Sequence, residues 1–333
     1  MNAFQILSKL TGKLTIAIPA MMAMGFVFGA VAPSDWLQAL ILPLTFLMVY
    51  PMMVNLKVRS VLEGVDGRAQ GLALLVNFGV IPFIAFAIGL LFLADHPYFA
   101  LGLLLAALLP TSGMTIAWTG FAKGNVPAAI KMTVIGLLVG SVATPFYVQW
   151  LMGAEVPVDL LTVFRQIAII VLLPLVAGQI TQHYLRRRYG QEGYQKRWAP
   201  RFPPLSSLGV LGIVFVAMAL KAGDLIASPG DLLIIAVPVV LLYLINYTLS
   251  TGIARAVLGR GEGIALVYGT VMRNLSIALA LAMNAFGEAG ADAALVVALA
   301  FIIQVQSAAW YVKLTDRVFG SAPETDGVGE QAR

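Results

Sequence analysis

The chain has 333 residues, of which 60% are apolar and 11% charged, where a soluble domain has about 25% charged. With a mean hydropathy of +0.90, it carries more apolar surface than a soluble domain of this size could hide. Soluble enzymes, disordered regulators and fibrous proteins are excluded, and an integral membrane protein remains. Cysteine is absent and His96 and His183 are the only histidines, so neither a thiol nucleophile nor a His/Cys metal cluster can be assembled. No cofactor and no metal site is expected. The net charge of +5 reads as Lys and Arg facing anionic lipid, not nucleic acid, so the bilayer is the expected partner.

A helix needs about 20 mostly apolar residues to cross the hydrocarbon. Ten stretches qualify, at approximately 14–32, 36–55, 70–94, 98–120, 126–152, 163–184, 205–222, 231–254, 262–287 and 291–314. The first reads as a span, not a cleaved signal peptide: it lacks a small-residue cleavage site and a second span follows closely. With the N-terminus inside, the cytoplasmic side holds every Lys and Arg except Arg165, Lys221 and Arg273. The outer loops carry Asp35, Asp95, Glu155, Asp159, Asp224, Asp231, Glu288 and Asp292. That asymmetry predicts an all-α, multi-pass protein of the inner (plasma) membrane with both termini cytoplasmic.

The longest connection, about 185–204, is basic and ends in Pro200, Pro203 and Pro204. The ten spans fall as five plus five, over 14–152 and 163–314. An odd count per half makes the halves enter the membrane with opposite orientation, which is what an inverted-topology repeat requires. The predicted organisation is a cytoplasmic N-terminus over 1–13, a first five-helix repeat over 14–152, and a segment 153–204 holding helix six and the basic loop. A second five-helix repeat covers 163–314, and a disordered cytoplasmic tail 315–333.

Two spans are interrupted. Span four contains Leu109-Pro110-Thr111-Ser112-Gly113-Met114-Thr115; proline removes a backbone donor, glycine loosens the helix, and unwound backbone at membrane depth is tolerated only inside protein or beside a watery cavity. The segment is either a kink packed in the bundle or a broken helix lining a site. Span nine reads Tyr268-Gly269-Thr270-Val271-Met272-Arg273-Asn274-Leu275-Ser276. A charge at the depth of Arg273 costs about 2.5–3.5 kcal/mol, and no Asp or Glu lies deep in any predicted span to pair with it. Arg273 is either neutralised by carbonyls at a helix break or waits for an anion from outside. Asn77, Thr133, Asn246, Gln304 and Gln306 are the other polar residues at depth, a pattern typical of interhelical hydrogen bonds. The paired carboxylates and Ser–His or Ser–Lys pairs of an intramembrane enzyme are missing, and the polar residues are too few and clustered to line a channel.

Ten spans in a 5 + 5 arrangement with spans four and nine broken resemble the bile acid:sodium symporter family. The closest stretch runs from Pro110-Thr111-Ser112-Gly113-Met114-Thr115 to Ala122-Lys123-Gly124-Asn125, with Thr133 on span five and Arg273-Asn274-Leu275-Ser276 on span nine. The resemblance implies a secondary active transporter working by alternating access. Spans three to five and eight to ten would form a core, the others a panel, and spans four and nine would cross near the midplane. It also implies two sodium ions behind the crossover, but the chain departs from the family at the ligand positions. Ile116 replaces an asparagine, Ala129 a serine, Gly269 a glutamate and Arg273 a glutamine. Arginine offers only donors and a fixed charge, which argues against the usual sodium coupling. A small organic anion is the expected substrate, with Ser112, Thr115, Thr133, Arg273, Asn274, Ser276 and Asn77 as candidate binding residues. The related arsenite-efflux carriers are the alternative, although the cysteine they use on span four has no counterpart here.

Overall fold

A computed structural model describes residues 14–56, 67–156, 159–227 and 230–321. The expected N-terminal segment 1–13 and the tail beyond 321 lie outside the described residues. Within them the chain forms helices and no strand. In chain order these are α1 (Leu14–Val31), α2 (Asp35–Val54), α3 (Gly67–Phe92), α4 (Pro97–Leu108), α5 (Gly113–Phe121) and α6 (Val126–Met152). Next comes α7, built from Leu160–Ile167, Ala168–Leu172 and Leu173–Gly193, and then α8 (Phe202–Ala227) and α9 (Asp231–Val257). The chain closes with α10 (Arg260–Val271), α11 (Leu275–Ala285) and α12 (Gly290–Phe319). Among the described residues, six helical runs have the length and hydropathy of a membrane crossing. Their exposed side chains are largely apolar, including Leu91, Trp150, Leu161 and Leu233, as expected of a surface that meets lipid rather than water.

The helices pack as two groups. In one, α1 and α2 lie against α8, and α7 lies against α2. In the other, α4 packs on α3, α6 and α12, α11 on α12, and α10 on α5, α6 and α9. Small residues permit the closest approaches. A Cβ on Gly102 of α4 would fall 2.5 Å from the Ala293 carbonyl of α12, and one on Gly209 of α8 would fall 2.5 Å from the Met48 nitrogen of α2. Lipid-immersed helices associate through such close packing, because hydrophobic burial gives them little driving force against lipid tails.

Two expectations need correction. The 185–204 connection is helical rather than a loop: α7 runs on to Gly193, π-helical Tyr194–Trp198 and 3₁₀-helical Ala199–Arg201 follow, and α8 starts at Phe202. Gly190, at φ +73°, supplies the kink in α7, a conformation open to glycine at little cost. Pro203 and Pro204 fall in the first turn of α8, where proline is tolerated because its missing N–H has no intrahelical partner. The expected disordered tail is also ordered further than predicted. α12 continues to Phe319, and Arg260 of α10 clasps its end through the Gly320 carbonyl (2.7 Å) and the Asp316 carboxylate (2.6 Å).

A candidate substrate site where two broken helices cross

Both interrupted segments are unwound, and they meet. Between α4 and α5 the chain leaves the helix at Leu109–Ser112; between α10 and α11 it does so at Met272–Asn274. The Thr111 N–H donates to the Met272 carbonyl (2.8 Å) and the Asn274 N–H to the Leu109 carbonyl (2.7 Å), making a short antiparallel bridge between Pro110 and Arg273. The bridge satisfies main-chain groups that the breaks would otherwise orphan, as a dry interior demands. Thr111 has φ +63°, a strained setting for a β-branched residue. Its hydroxyl is held against the Pro110 carbonyl (2.6 Å) and the Thr133 carbonyl (3.2 Å).

Each downstream half-helix starts with a side-chain cap at the crossover. Ser112 Oγ accepts from the Met114 N–H, and Thr115 Oγ1 accepts from the Ser112 N–H, both at 3.2 Å. Asn274 Oδ1 accepts from the Ile277 N–H at 3.3 Å. The first turns of α5 and α11 therefore converge. Ser112, Gly113 and Met114 from one, and Asn274, Leu275 and Ser276 from the other, line a cavity of about 430 Å³. Two helix N-termini facing one space place partial positive charge there and favour an anion. Thr133 of α6 and Gln304 of α12 complete this wall, while Asn55 of α2 with Ser206 and Ser207 of α8 form the facing one. The cavity thus lies between the two helix groups.

Arg273 is 3% exposed. Its Nη1 donates to Asn77 Oδ1 (2.9 Å) and to the Ala107 carbonyl (3.0 Å). Ala107 belongs to the last turn of α4, whose carbonyls lack helical partners and carry partial negative charge, so the guanidinium caps that end. Nη2 is buried with no hydrogen bond among the described residues. None of these partners is a carboxylate. Gln304 clasps the Arg273 backbone, accepting from its N–H at 2.7 Å and donating to its carbonyl at 3.2 Å, and accepts from the Tyr243 hydroxyl. Asn77 sits in the π-helical turn Leu75–Val80 of α3 and donates to the Gly269 carbonyl; such turns commonly mark functional positions.

Of the residues predicted for the site, Ser112, Thr133, Arg273, Asn274 and Ser276 share the cavity. Asn77 reaches it only through Arg273. Thr115 is fully buried and acts as part of the α5 cap. Gln304 makes the interhelical hydrogen bond expected of it, to Tyr243, and in addition clasps the Arg273 backbone, for which its i,i+3 and i,i+4 neighbours give no hint. Asn55, Ser206 and Ser207 had no signal at all, because periodicity does not tell which helix ends face each other. The positions that depart from the resembled family's sodium ligands are closely packed. A Cβ on Gly269 would lie 2.6 Å from Met132 Sδ, Ala129 is fully buried, and the Thr133 hydroxyl donates to the Ala129 carbonyl.

A broken-helix crossover over a cavity, inside a bundle of lipid-facing helices, is the construction of a membrane transport protein. The chain belongs to the sodium bile acid symporter family, whose model matches residues 42–228. It is 24% identical to the arsenical-resistance protein Acr3 of Alkaliphilus metalliredigens over 93% of each chain. It is 22% identical to the Acr3 protein of Corynebacterium glutamicum over 74% of this chain and 70% of that one. A probable chloroplastic sodium/metabolite cotransporter, BASS2 of Oryza sativa subsp. japonica, is 28% identical over 53% of this chain and 43% of its own.

Proposed function

We propose that the protein is a secondary active transporter of a small organic anion, with Arg273 serving as a built-in cation in place of a sodium ion. The observation that carries this reading is the convergence of two capped helix N-termini on a cavity beside a buried guanidinium that pairs with no carboxylate and has one unpartnered nitrogen. A carboxylate there gains from both helix ends and from the arginine. A sodium ion about 4 Å from the guanidinium would be repelled by about 4 kcal/mol at a high effective dielectric. In this reading the chain crosses the bilayer ten times as an inverted repeat, with the crossover near the midplane and both termini in the cytoplasm. The α1–α2–α7–α8 group is the panel and the other helices the core.

Alternating access finds support in the two ends of the panel–core boundary. The cavity extends to Asn55 and Pro203, at the C-terminal end of α2 and the start of α8. Further along those helices, beside the end of α11 and the start of α12, the groups are in contact. Asn284 Nδ2 donates to Thr45 Oγ1 (3.1 Å), and Lys221 pairs with Asp292 (2.8 Å). The cavity would thus be open to the cytoplasm and closed to the outside.

The arsenical-resistance relatives favour a second reading, a metalloid carrier. Without a cysteine such a carrier would have to hold its cargo by hydroxyls and amides. Uptake into proteoliposomes of labelled mono- and dicarboxylates, and of arsenite, by the native chain and Arg273→Gln separates the two. Carboxylate uptake lost at least tenfold in the variant supports the proposal; arsenite uptake that persists in it, with no carboxylate uptake by the native chain, contradicts it.

A further inference from the structure

The C-terminal part of α7 carries a second pocket that transport leaves unused. Gln179, Gln182, His183, Arg186 and Arg187 recur at three- and four-residue spacing, so they share one face, and Gln191 follows just past the Gly190 kink. They line a cavity of about 650 Å³ in which no Asp or Glu takes part among the described residues. The two nearer amides are already engaged. Gln179 Nε2 donates to the Met53 and Leu56 carbonyls and Gln182 Nε2 to the Val54 carbonyl, tying α7 to the end of α2. The groups left to face a ligand are His183, Gln191 and the two arginines, Arg186 and Arg187. Arg186 lies over the ring of Tyr194 at 5.2 Å, a cation–π contact, and among the described residues its buried Nε has no hydrogen bond and its guanidinium no carboxylate partner. Glu192, the nearest acid in sequence, is paired with Lys196.

The same helix carries an apolar ridge that runs into the pocket. Leu173, Val176, Ile180 and Tyr184 again follow three- and four-residue spacing; all are more than half exposed, and Ile180 also lines the cavity. In a membrane-embedded helix this ridge faces acyl chains. A cationic hollow at the end of an acyl-facing ridge matches one amphipathic ligand. We propose that the pocket binds the phosphate headgroup of an anionic phospholipid, held by Arg186 and Arg187 with His183 beside them, its chains lying along the Leu173–Tyr184 ridge. Guanidinium groups suit phosphate oxygens through paired, charge-assisted bonds, and clusters of basic residues at the cytoplasmic end of a spanning helix attract anionic headgroups. The site is independent of what the crossover carries.

Native mass spectrometry and thermal unfolding of the purified full chain test this. The probes are dioleoylphosphatidylglycerol, dioleoylphosphatidylcholine and inorganic phosphate. The expected result is phosphatidylglycerol binding at least tenfold tighter than phosphatidylcholine, with a raised unfolding temperature, and at least a tenfold loss in Arg186→Gln/Arg187→Gln. Arg188→Gln, which removes a neighbouring cation outside the pocket, retains native binding. If the double variant does not fold, Arg187→Gln alone changes only an exposed side chain and still lowers binding several-fold. Undiminished binding in the pocket variants overturns the proposal, as does an equal loss in Arg188→Gln, which would show diffuse surface charge. Equal stabilisation by inorganic phosphate overturns the lipid assignment in favour of a free-phosphate site.

Discussion

At the scale of residues, the site rests on side chains that hold unwound backbone in place. Arg273 neutralises the end of α4 and meets Asn77, and Gln304 clasps both polar groups of the Arg273 peptide. Removing the guanidinium leaves the Asn77 oxygen and the Ala107 carbonyl buried and unpaired, at about 1–3 kcal/mol for such groups. Arg273→Gln is therefore expected to unfold at a lower temperature in detergent as well as to lose transport, whereas Arg273→Lys keeps the charge and loses less of both. Equal thermal stability of the native and Gln forms would show that the guanidinium bonds contribute little. The caps offer a milder probe. Ser112→Ala removes an N-cap at a cost of about 1 kcal/mol, measurable as a lowered unfolding temperature with a further loss of anion affinity. Much of this was legible beforehand: Pro110, Gly113 and a lone Arg273 within apolar runs announce breaks, because proline, glycine and an unpaired charge each disturb a lipid-immersed helix. The Gln304 clasp was not, since a glutamine on a helix face looks the same whether it bonds a neighbouring side chain or a distant peptide.

At the scale of elements, close helix contacts depend on glycines at defined points. Gly102 brings α4 onto α12, and Gly136 of α6 lies against Thr111, whose Oγ1 would be 2.8 Å from an added Cβ. Gly102→Val is expected to destabilise by about 1–3 kcal/mol through overpacking. Gly71→Ala has nothing within 4 Å and should stabilise by about 0.5–1 kcal/mol, because glycine in a helix interior carries an entropic cost. Thermal unfolding of the two variants side by side checks the sign of each; the same sign for both would contradict the packing described. The positions of most helices followed from apolar run length. The mid-chain segment did not, because charge and proline content mark a polar surface without saying whether its backbone is helical. Arg186–Arg188 and Gln191 are good helix formers, and Gly190 was the one residue pointing to the kink.

At the scale of the whole molecule, the two helix groups meet at one end through Lys221–Asp292 and Asn284–Thr45 and enclose the cavity toward the other. Lys221, out of place by the charge rule, is accounted for by its acidic partner. Because the chain has no cysteine, Lys221→Cys with Asp292→Cys introduces a single pair across this contact. Bridging the two thiols with a short bis-methanethiosulfonate reagent is expected to lock that end and reduce transport at least tenfold, with full recovery on reduction. Transport unaffected by the crosslink would show that this end does not open.

The central claim is that the fixed charge of Arg273 removes the need for sodium. Simultaneous measurement of sodium-22 and labelled carboxylate fluxes in proteoliposomes tests it most directly. Carboxylate uptake with no accompanying sodium flux, abolished in Arg273→Gln, is the predicted result. One or more sodium ions entering with each carboxylate in the native protein would contradict it and return Arg273 to a purely structural role.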